Sequence, residues 1–129
     1  MVENSSMRRL VYAHRGGAAL APENTIAAFD NGIAAGADGL ELDVRLSRDG
    51  VPVVHHDPTL ERTTNGRGAV AALTADELAR LDAGHRFERE GGFPFRGEGI
   101  GVPRLDQVLR RYRDIPLIVE MKGDSVELA

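Results

Sequence analysis

One stretch of eight residues, Gly39–Leu46, limits the possible folds of this chain more than any other part, because polar and apolar residues alternate along it. A period of two is the pattern of a β-strand with two different faces. The apolar face consists of Leu40, Leu42, Val44 and Leu46, and the charged face of Glu41, Asp43 and Arg45. The two neighbouring carboxylates repel each other, and a hard cation such as Mg²⁺ or Ca²⁺ would relieve this repulsion. The alternative is a solvated strand face with no special role.

The segments before this strand predict one strand and one helix. Residues 10–13 form a short apolar run that ends at a glycine-rich turn, which is typical of a buried strand. Residues 22–25 resemble a helix start, with Asn24 or Thr25 as the N-cap. Apolar residues then recur at helical spacing up to Gly36, where the helix is expected to end.

The segments after it predict a hairpin, two helices and a final strand. Thr74 and Glu77 have the spacing of a capping box, residues 105–112 have an apolar stripe, and residues 117–122 form a nearly continuous apolar run. The predicted order is strand, helix, strand, hairpin, helix, helix, strand. This alternation favours an α/β fold with a parallel sheet.

A hairpin is predicted at Asp49–Gly50, because this dipeptide lies between two strand-like runs. If these two residues form the whole loop, His56 lies opposite Asp43 on the returning strand. A slip of one residue would place His55 there instead. The turn therefore predicts that a histidine returns to the carboxylate pair.

Composition excludes several classes of function. The net charge of −4 argues against a general nucleic-acid binder, which needs a basic face. No cysteine is present, so thiolate metal sites and disulfides are excluded. Residues 1–9 form a polar leader without a signal-peptide pattern, and no apolar run is long enough to span a bilayer. We therefore expect a cytoplasmic location and no stable membrane insertion.

Ionisable residues follow several of the predicted strands. His14 and Arg15 come at the end of the first strand, and His56 follows the hairpin. The carboxylates are Glu41, Asp43 and Glu120. In α/β barrels the carboxyl ends of the strands carry the chemistry. Gathered there, these groups would supply metal ligands, an acid/base pair and a phosphate clamp, a set that suits phosphodiester hydrolysis.

Several separate blocks together resemble the glycerophosphodiester phosphodiesterases. The resemblance runs in order and spacing over about residues 10–122. Its blocks are His14–Gly17, Pro22–Phe29, Gly39–Val44, Val53–Asp57, Leu60–Gly66 and Val119–Lys122.

This resemblance implies a TIM-type (β/α) barrel and the conversion of a glycerophosphodiester and water into glycerol 3-phosphate and an alcohol. Under it, Glu41, Asp43 and Glu120 hold a divalent cation, Mg²⁺ or Ca²⁺. His14 and His56 are the general acid and base, in either order. Arg15 and Lys122 bind the phosphate, and Glu23 and Asn24 support the neighbouring side chains. Whether water or the glycerol 2-hydroxyl attacks first stays open.

Length is the main departure from this family. A complete barrel needs roughly 250 residues, so residues 10–129 are expected to form only the N-terminal portion, with about three barrel strands. Residues 47–102, which we call the insertion, would be the family's capping segment. A further part of the protein or a second chain would complete the barrel. The alternatives are a related phospholipase D-type or phosphoinositide-cleaving barrel, and a truncated chain that binds metal or phosphate without turnover.

Overall fold

The computed structural model describes residues 9–17 and 19–123, so the leader predicted over residues 1–9 lies outside them except for Arg9. This part of the chain contains strands β1 (Tyr12–His14), β2 (Gly39–Leu46), β3 (Pro52–Val54) and β4 (Leu117–Met121). Its helices are α1 (Ile26–Ala34), α2 (Ala75–Ala79) and α3 (Leu105–Arg111), with a 3-10 turn at Val70–Ala72. None of these helices combines the length and the apolar character that crossing a bilayer requires.

The sheet is built around β2, the strand that the alternating pattern predicts. β1 and β4 both pair with β2 in parallel, and β3 pairs with it antiparallel. β1 matches the first half of β2 through Ala13 opposite Leu40, whereas β3 matches the second half through Val53 opposite Arg45. The predicted order of elements and the parallel arrangement of three strands are confirmed.

Local capping signals explain where two of the helices begin. The Thr25 hydroxyl accepts a hydrogen bond from the Ala28 N–H at 3.2 Å, so Thr25 rather than Asn24 is the N-cap of α1. At α2, the Thr74 hydroxyl and the Glu77 carboxylate bond each other's backbone N–H groups. The capping box predicted from their spacing is therefore confirmed.

Two separate hydrophobic cores stabilise the described part of the chain. The first packs the apolar face of β2 against α1 and α3, with Phe29 and Tyr112 in edge-to-face contact at 5.9 Å. The second lies within the insertion. Its buried members are Val53, Leu60, Val70, Ala75, Leu78, Ala83 and Val102. The insertion therefore has its own apolar interior, although its exact boundaries stay a prediction.

The predicted hairpin register is wrong by one residue. The loop has three residues, 48–50, rather than two. The Ser47 N–H donates a hydrogen bond to the Val51 carbonyl across the loop at 3.0 Å, and the Ser47 carbonyl accepts one from the Gly50 N–H within it at 3.0 Å. Gly50 adopts a φ of +75°, a left-handed conformation that closes this longer loop. As a result the His55 N–H, not that of His56, bonds the Asp43 carbonyl at 2.9 Å.

Candidate functional site

The turn after β1 holds two predicted site residues in an unfavourable backbone conformation. Arg15 has a φ of +52° and Asn24 a φ of +56°, both in the left-handed region. Asparagine tolerates this region, but for arginine it costs roughly 1–2 kcal/mol. The Asn24 N–H bonds the Arg15 carbonyl at 2.9 Å, so the two segments hold each other. Such strain is commonly kept where side-chain placement matters for function.

Asp43 is the residue on which this region converges. Its side chain is buried, and its Oδ2 accepts a hydrogen bond from the Asn24 side-chain amide at 3.0 Å. The Arg15 Nε lies 3.5 Å from the same oxygen. The Lys122 Nζ lies 3.8 Å from Oδ1, the other carboxylate oxygen. Asn24 therefore contacts Asp43 directly, and two cations balance the charge of the buried carboxylate.

The Arg15 guanidinium keeps an unused donor in this buried setting. Its Nε is buried and makes no hydrogen bond of acceptable geometry within the described residues. The Asp43 Oδ2 lies 3.5 Å away, so the charge at this end of the guanidinium is balanced by an ion pair without a hydrogen bond.

Glu120 and Lys122 place a charge pair beside Asp43. Asp43 and Glu120 are partners in the parallel register of β2 and β4. The Lys122 Nζ donates to the Glu120 Oε1 at 2.8 Å, and this bond is the main reason that the pKa of Glu120 lies below its ordinary value. The positive charge of Lys122 is therefore shared by Glu120 and Asp43.

The metal ligands predicted from the sequence lie on neighbouring strands but are not gathered into one ligand cluster. Glu41 is two positions from Asp43 on β2, opposite Ile118 of β4. Within residues 9–17 and 19–123, no group of three or more His, Asp or Glu side chains is arranged to hold a metal. Lys122 instead supplies the positive charge between Asp43 and Glu120. The cation stays a prediction.

Both predicted histidines lie near this charge pair. His14 ends β1, opposite Glu41 in the register. His56 follows β3, and its carbonyl accepts a hydrogen bond from the Arg45 Nε at 2.7 Å. The Lys122 bond is the main cause of the lowered pKa of Glu120, and His56 and His14 act on it in the same direction more weakly. His56 therefore arrives through the turn after β3 rather than through the ladder pairing that we expected.

The other histidines lie in different surroundings. His55 is buried, its Nε2 is 3.0 Å from the Thr59 carbonyl, and burial lowers the pKa of its imidazole. His85 lies in the insertion with its Nδ1 3.7 Å from Asp82.

Arg62 forms the most extensive ion pair of the region, and the sequence gives no signal for it beyond its place in a resembling block. It donates two hydrogen bonds to Glu23, at 2.9 and 2.8 Å, and two to Asp57, at 2.7 and 3.1 Å. Burial raises the pKa of Glu23, but the bonds from Arg62 and the charges of Arg62 and Arg15 outweigh burial and lower it. Pairing across 39 positions leaves no periodic trace in a sequence.

A small cavity of about 170 Å³ opens beside this ion pair, between the segment after β1 and the insertion. Its lining combines charged and apolar side chains. They are Pro22, Glu23, Arg62, Thr63, Ala83, Arg86, Phe87 and Glu88. Phe87 is held by an edge-to-face contact with Phe95 at 5.5 Å. Of the aromatic residues of the insertion, Phe87 lines the cavity, and none belongs to the insertion's core.

Comparison with known proteins gives one consistent family. The model of the glycerophosphoryl diester phosphodiesterase family matches residues 14–127. A glycerophosphodiester phosphodiesterase of Caldanaerobacter subterraneus is 47% identical over 119 residues, which cover 92% of this chain and 46% of that protein.

Solved structures agree with this match. The crystal structure of a glycerophosphodiester phosphodiesterase from Agrobacterium tumefaciens superposes with a TM-score of 0.81 at 46% identity, covering 91% of this chain and 48% of that one. A phosphodiesterase of Oleispira antarctica, solved with the product sn-glycerol-3-phosphate, gives a TM-score of 0.75 at 36% identity, covering 92% and 46%. The chain therefore spans slightly less than half the length of these proteins.

Proposed function

We propose, since this chain belongs to the glycerophosphoryl diester phosphodiesterase family, that the protein carrying it hydrolyses glycerophosphodiesters to glycerol 3-phosphate and an alcohol. The observation that carries the proposal is the meeting of Arg15, Asp43 and Lys122 where the parallel strands end. A buried carboxylate flanked by an arginine and a lysine suits a phosphodiester and its counter-charge.

Four residues of this chain have separate roles in the proposed reaction. Arg15 and Lys122 bind the non-bridging oxygens and balance the charge that develops on phosphorus. One of the two histidines, His14 or His56, takes a proton from the attacking oxygen, and the other gives a proton to the leaving alcohol oxygen. The bond from phosphorus to that oxygen breaks as the new one forms, and the water is divided between the two products.

A divalent cation, Mg²⁺ or Ca²⁺, is part of the proposal. Carboxylate oxygens are the ligands that these hard cations prefer, and Glu41, Asp43 and Glu120 supply them from adjacent positions of β2 and β4. These three residues fit such an ion by the chemistry of their donor atoms. When bound, it would act as a Lewis acid toward the phosphodiester.

We further propose that β1, β2 and β4 are the first strands of a TIM-type barrel. Relatives and solved structures that this chain matches are about twice its length. The remaining strands would come from further sequence or from a second chain. The substrate would be a small water-soluble molecule that enters at the carboxyl ends of the strands.

A release assay tests this function. The released alcohol would be measured after adding a water-soluble glycerophosphodiester, or an intact diacyl phospholipid with the same alcohol, with Mg²⁺, with Ca²⁺ and with chelator. Glycerol 3-phosphate would be identified as the second product of the water-soluble substrate. We expect release from the water-soluble substrate with a divalent cation, and loss of release in His14→Asn and His56→Asn. His85→Asn is the matched control and should keep the parental rate.

Two outcomes would contradict the proposal. Release of the alcohol only from the intact phospholipid, with phosphatidic acid as the second product, would favour a phospholipase D-type barrel. Absence of release from both the 129-residue chain and any longer protein containing it, despite phosphate binding, would favour a non-catalytic binding role.

A further inference from the structure

Arg15 and His56, which have separate roles in the proposed function, are joined by an unbroken line of charged side chains. The Arg15 Nη1 lies 3.3 Å from the Glu23 Oε2. The Arg62 guanidinium donates hydrogen bonds to both carboxylate oxygens of Glu23. Arg62 also bonds both oxygens of Asp57, and the Asp57 Oδ1 lies 2.8 Å from the His56 Nδ1. The line thus connects the phosphate-binding residue with one member of the acid/base pair.

We propose that Asp57 and Arg62 are positioning residues for this reaction. Asp57 holds His56 in the tautomer with its proton on Nδ1, and Arg62 holds Asp57 and Glu23 in one fixed arrangement. This inference rests on the proposed function, because it assigns how two of its residues are oriented. It goes beyond that function in naming Asp57 and Arg62.

The tautomer follows from the charge of Asp57. Hydrogen bonds from Arg62 are the largest influence on the Asp57 carboxyl and hold its pKa well below its ordinary value, and the bond with His56 acts in the same direction. An ionised carboxylate can only accept hydrogen bonds, so the His56 Nδ1 must donate. Nε2 of the neutral imidazole is then free to take a proton and later to return it. This is the orienting role that a carboxylate has in acyl-transfer triads.

Arginine at position 62 is required by the geometry of the line. Its planar fork makes paired hydrogen bonds to two carboxylates at once, Glu23 and Asp57, whose side chains are only 12% and 22% exposed. A lysine would keep the charge but could not make two bidentate contacts. Arg45 adds a second restraint, because its Nε holds the His56 carbonyl at 2.7 Å.

The first test measures the tautomer directly and does not depend on activity. Nitrogen-15 NMR of the histidines in the full 129-residue chain would be recorded at about pH 8.5, two units above the ordinary histidine pKa. We expect His56 to show a protonated Nδ1 and an unprotonated Nε2 in the parent chain. In Asp57→Ala the two nitrogen shifts should move toward an average of both tautomers. A parent His56 with its proton on Nε2, or identical shifts in Asp57→Ala, would overturn the inference.

The second test separates the two ends of the line by kinetics. Asp57→Ala should lower kcat by about 10- to 100-fold with KM within about twofold, because it acts through an acid/base group. Glu23→Gln should mainly raise KM, because Glu23 orients the phosphate-binding Arg15. Arg62→Lys should change both constants, and the effects of Arg62→Lys and Asp57→Ala on kcat should not be additive.

A matched control comes from another paired arginine. Arg111 makes two hydrogen bonds to Asp30, at 3.0 and 2.6 Å, between α3 and α1. Arg111→Lys should leave kcat and KM unchanged, so equal effects of Arg62→Lys and Arg111→Lys would overturn the role of Arg62. A parent protein without hydrolytic activity would contradict the proposed function instead, and the NMR result would then decide the inference alone.

Discussion

The apolar face of β2 is buried against two helices, whereas the charged face is held by ion pairs to the turns after β1 and β4. Leu40, Leu42 and Val44 are at most 2% exposed in a core shared with α1 and α3. On the other face, Asp43 meets groups from the turns after β1 and β4. Burial is tolerant of shape and needs only apolar partners, but each charged contact depends on a particular atom. We therefore expect substitutions on the charged face to lower catalytic activity and substitutions on the apolar face to lower the free energy of unfolding.

The largest effect is expected on the charged face. Asp43→Asn should reduce kcat/KM by about 10³-fold, roughly 4 kcal/mol, because it removes the charge shared by Arg15, Lys122 and the proposed cation. The stability of the fold should change much less, since an amide can still accept the bond from Asn24. Turnover and urea unfolding of the same samples would check both statements. Activity within tenfold of the parent would contradict the role given to Asp43.

The apolar face should give the largest effect on stability. Leu42→Ala should lower the free energy of unfolding by about 2–5 kcal/mol, because it leaves a cavity in a closed core. Leu109→Ala removes the same atoms from a side chain that is 45% exposed, and should stay within about 0.5 kcal/mol of the parent. Equal losses in the two variants, measured by denaturant titration, would mean that the β2 core is less closed than described.

At the strained turn after β1, function and stability make opposite demands on Arg15. Its side chain is needed for the proposed substrate binding, whereas its backbone conformation is unfavourable for any residue with a side chain. Arg15→Gly should be more stable than Arg15→Ala by roughly 1–2 kcal/mol, since only glycine adopts a φ of +52° without cost. Both variants lack the guanidinium and should be equally impaired in substrate binding. Thermal unfolding of these two variants would measure the free-energy cost of the backbone conformation at position 15. Equal melting temperatures would argue against strain at this position.

The smallest expected effect is a difference in acid sensitivity. Asp57 has a pKa below its ordinary value of about 4, mainly because of Arg62, so its stabilising contribution is present above pH 4 and is lost as the pH falls through its lower folded-state pKa. The stability difference between the parent and Asp57→Asn should therefore shrink on acidification. Urea unfolding at a series of pH values would measure it, and a constant difference would contradict the charge-based account.

Local signals explain why much of the fold is predictable from the sequence. The Thr25 cap, the capping box at Thr74 and Glu77, and the alternation of β2 all act within a few residues, and the structure confirms them. The hairpin register was predictable only to within one residue, because Gly50 closes a loop of three residues as readily as one of two.

The site was less predictable, because its contacts are made between distant segments. The resemblance brings Arg15, Asp43 and Lys122 into one region, and the structure places them together. The bridge from Arg62 to Glu23 spans 39 positions and depends on how the insertion folds back over the turn after β1. Neither periodicity nor local propensity carries information about such a contact.

The position of β3 between two cores has a consequence for local unfolding of the protein. Val53 belongs to the core of the insertion and Val54 to the core beneath β2, so adjacent residues anchor two different interiors. His56 is only two residues further along. Unfolding of the insertion would therefore also displace the segment that carries the His56 imidazole. Hydrogen exchange should accordingly report a single opening event for both interiors, and grafting a foreign insertion would have to leave Val53 to His56 in place.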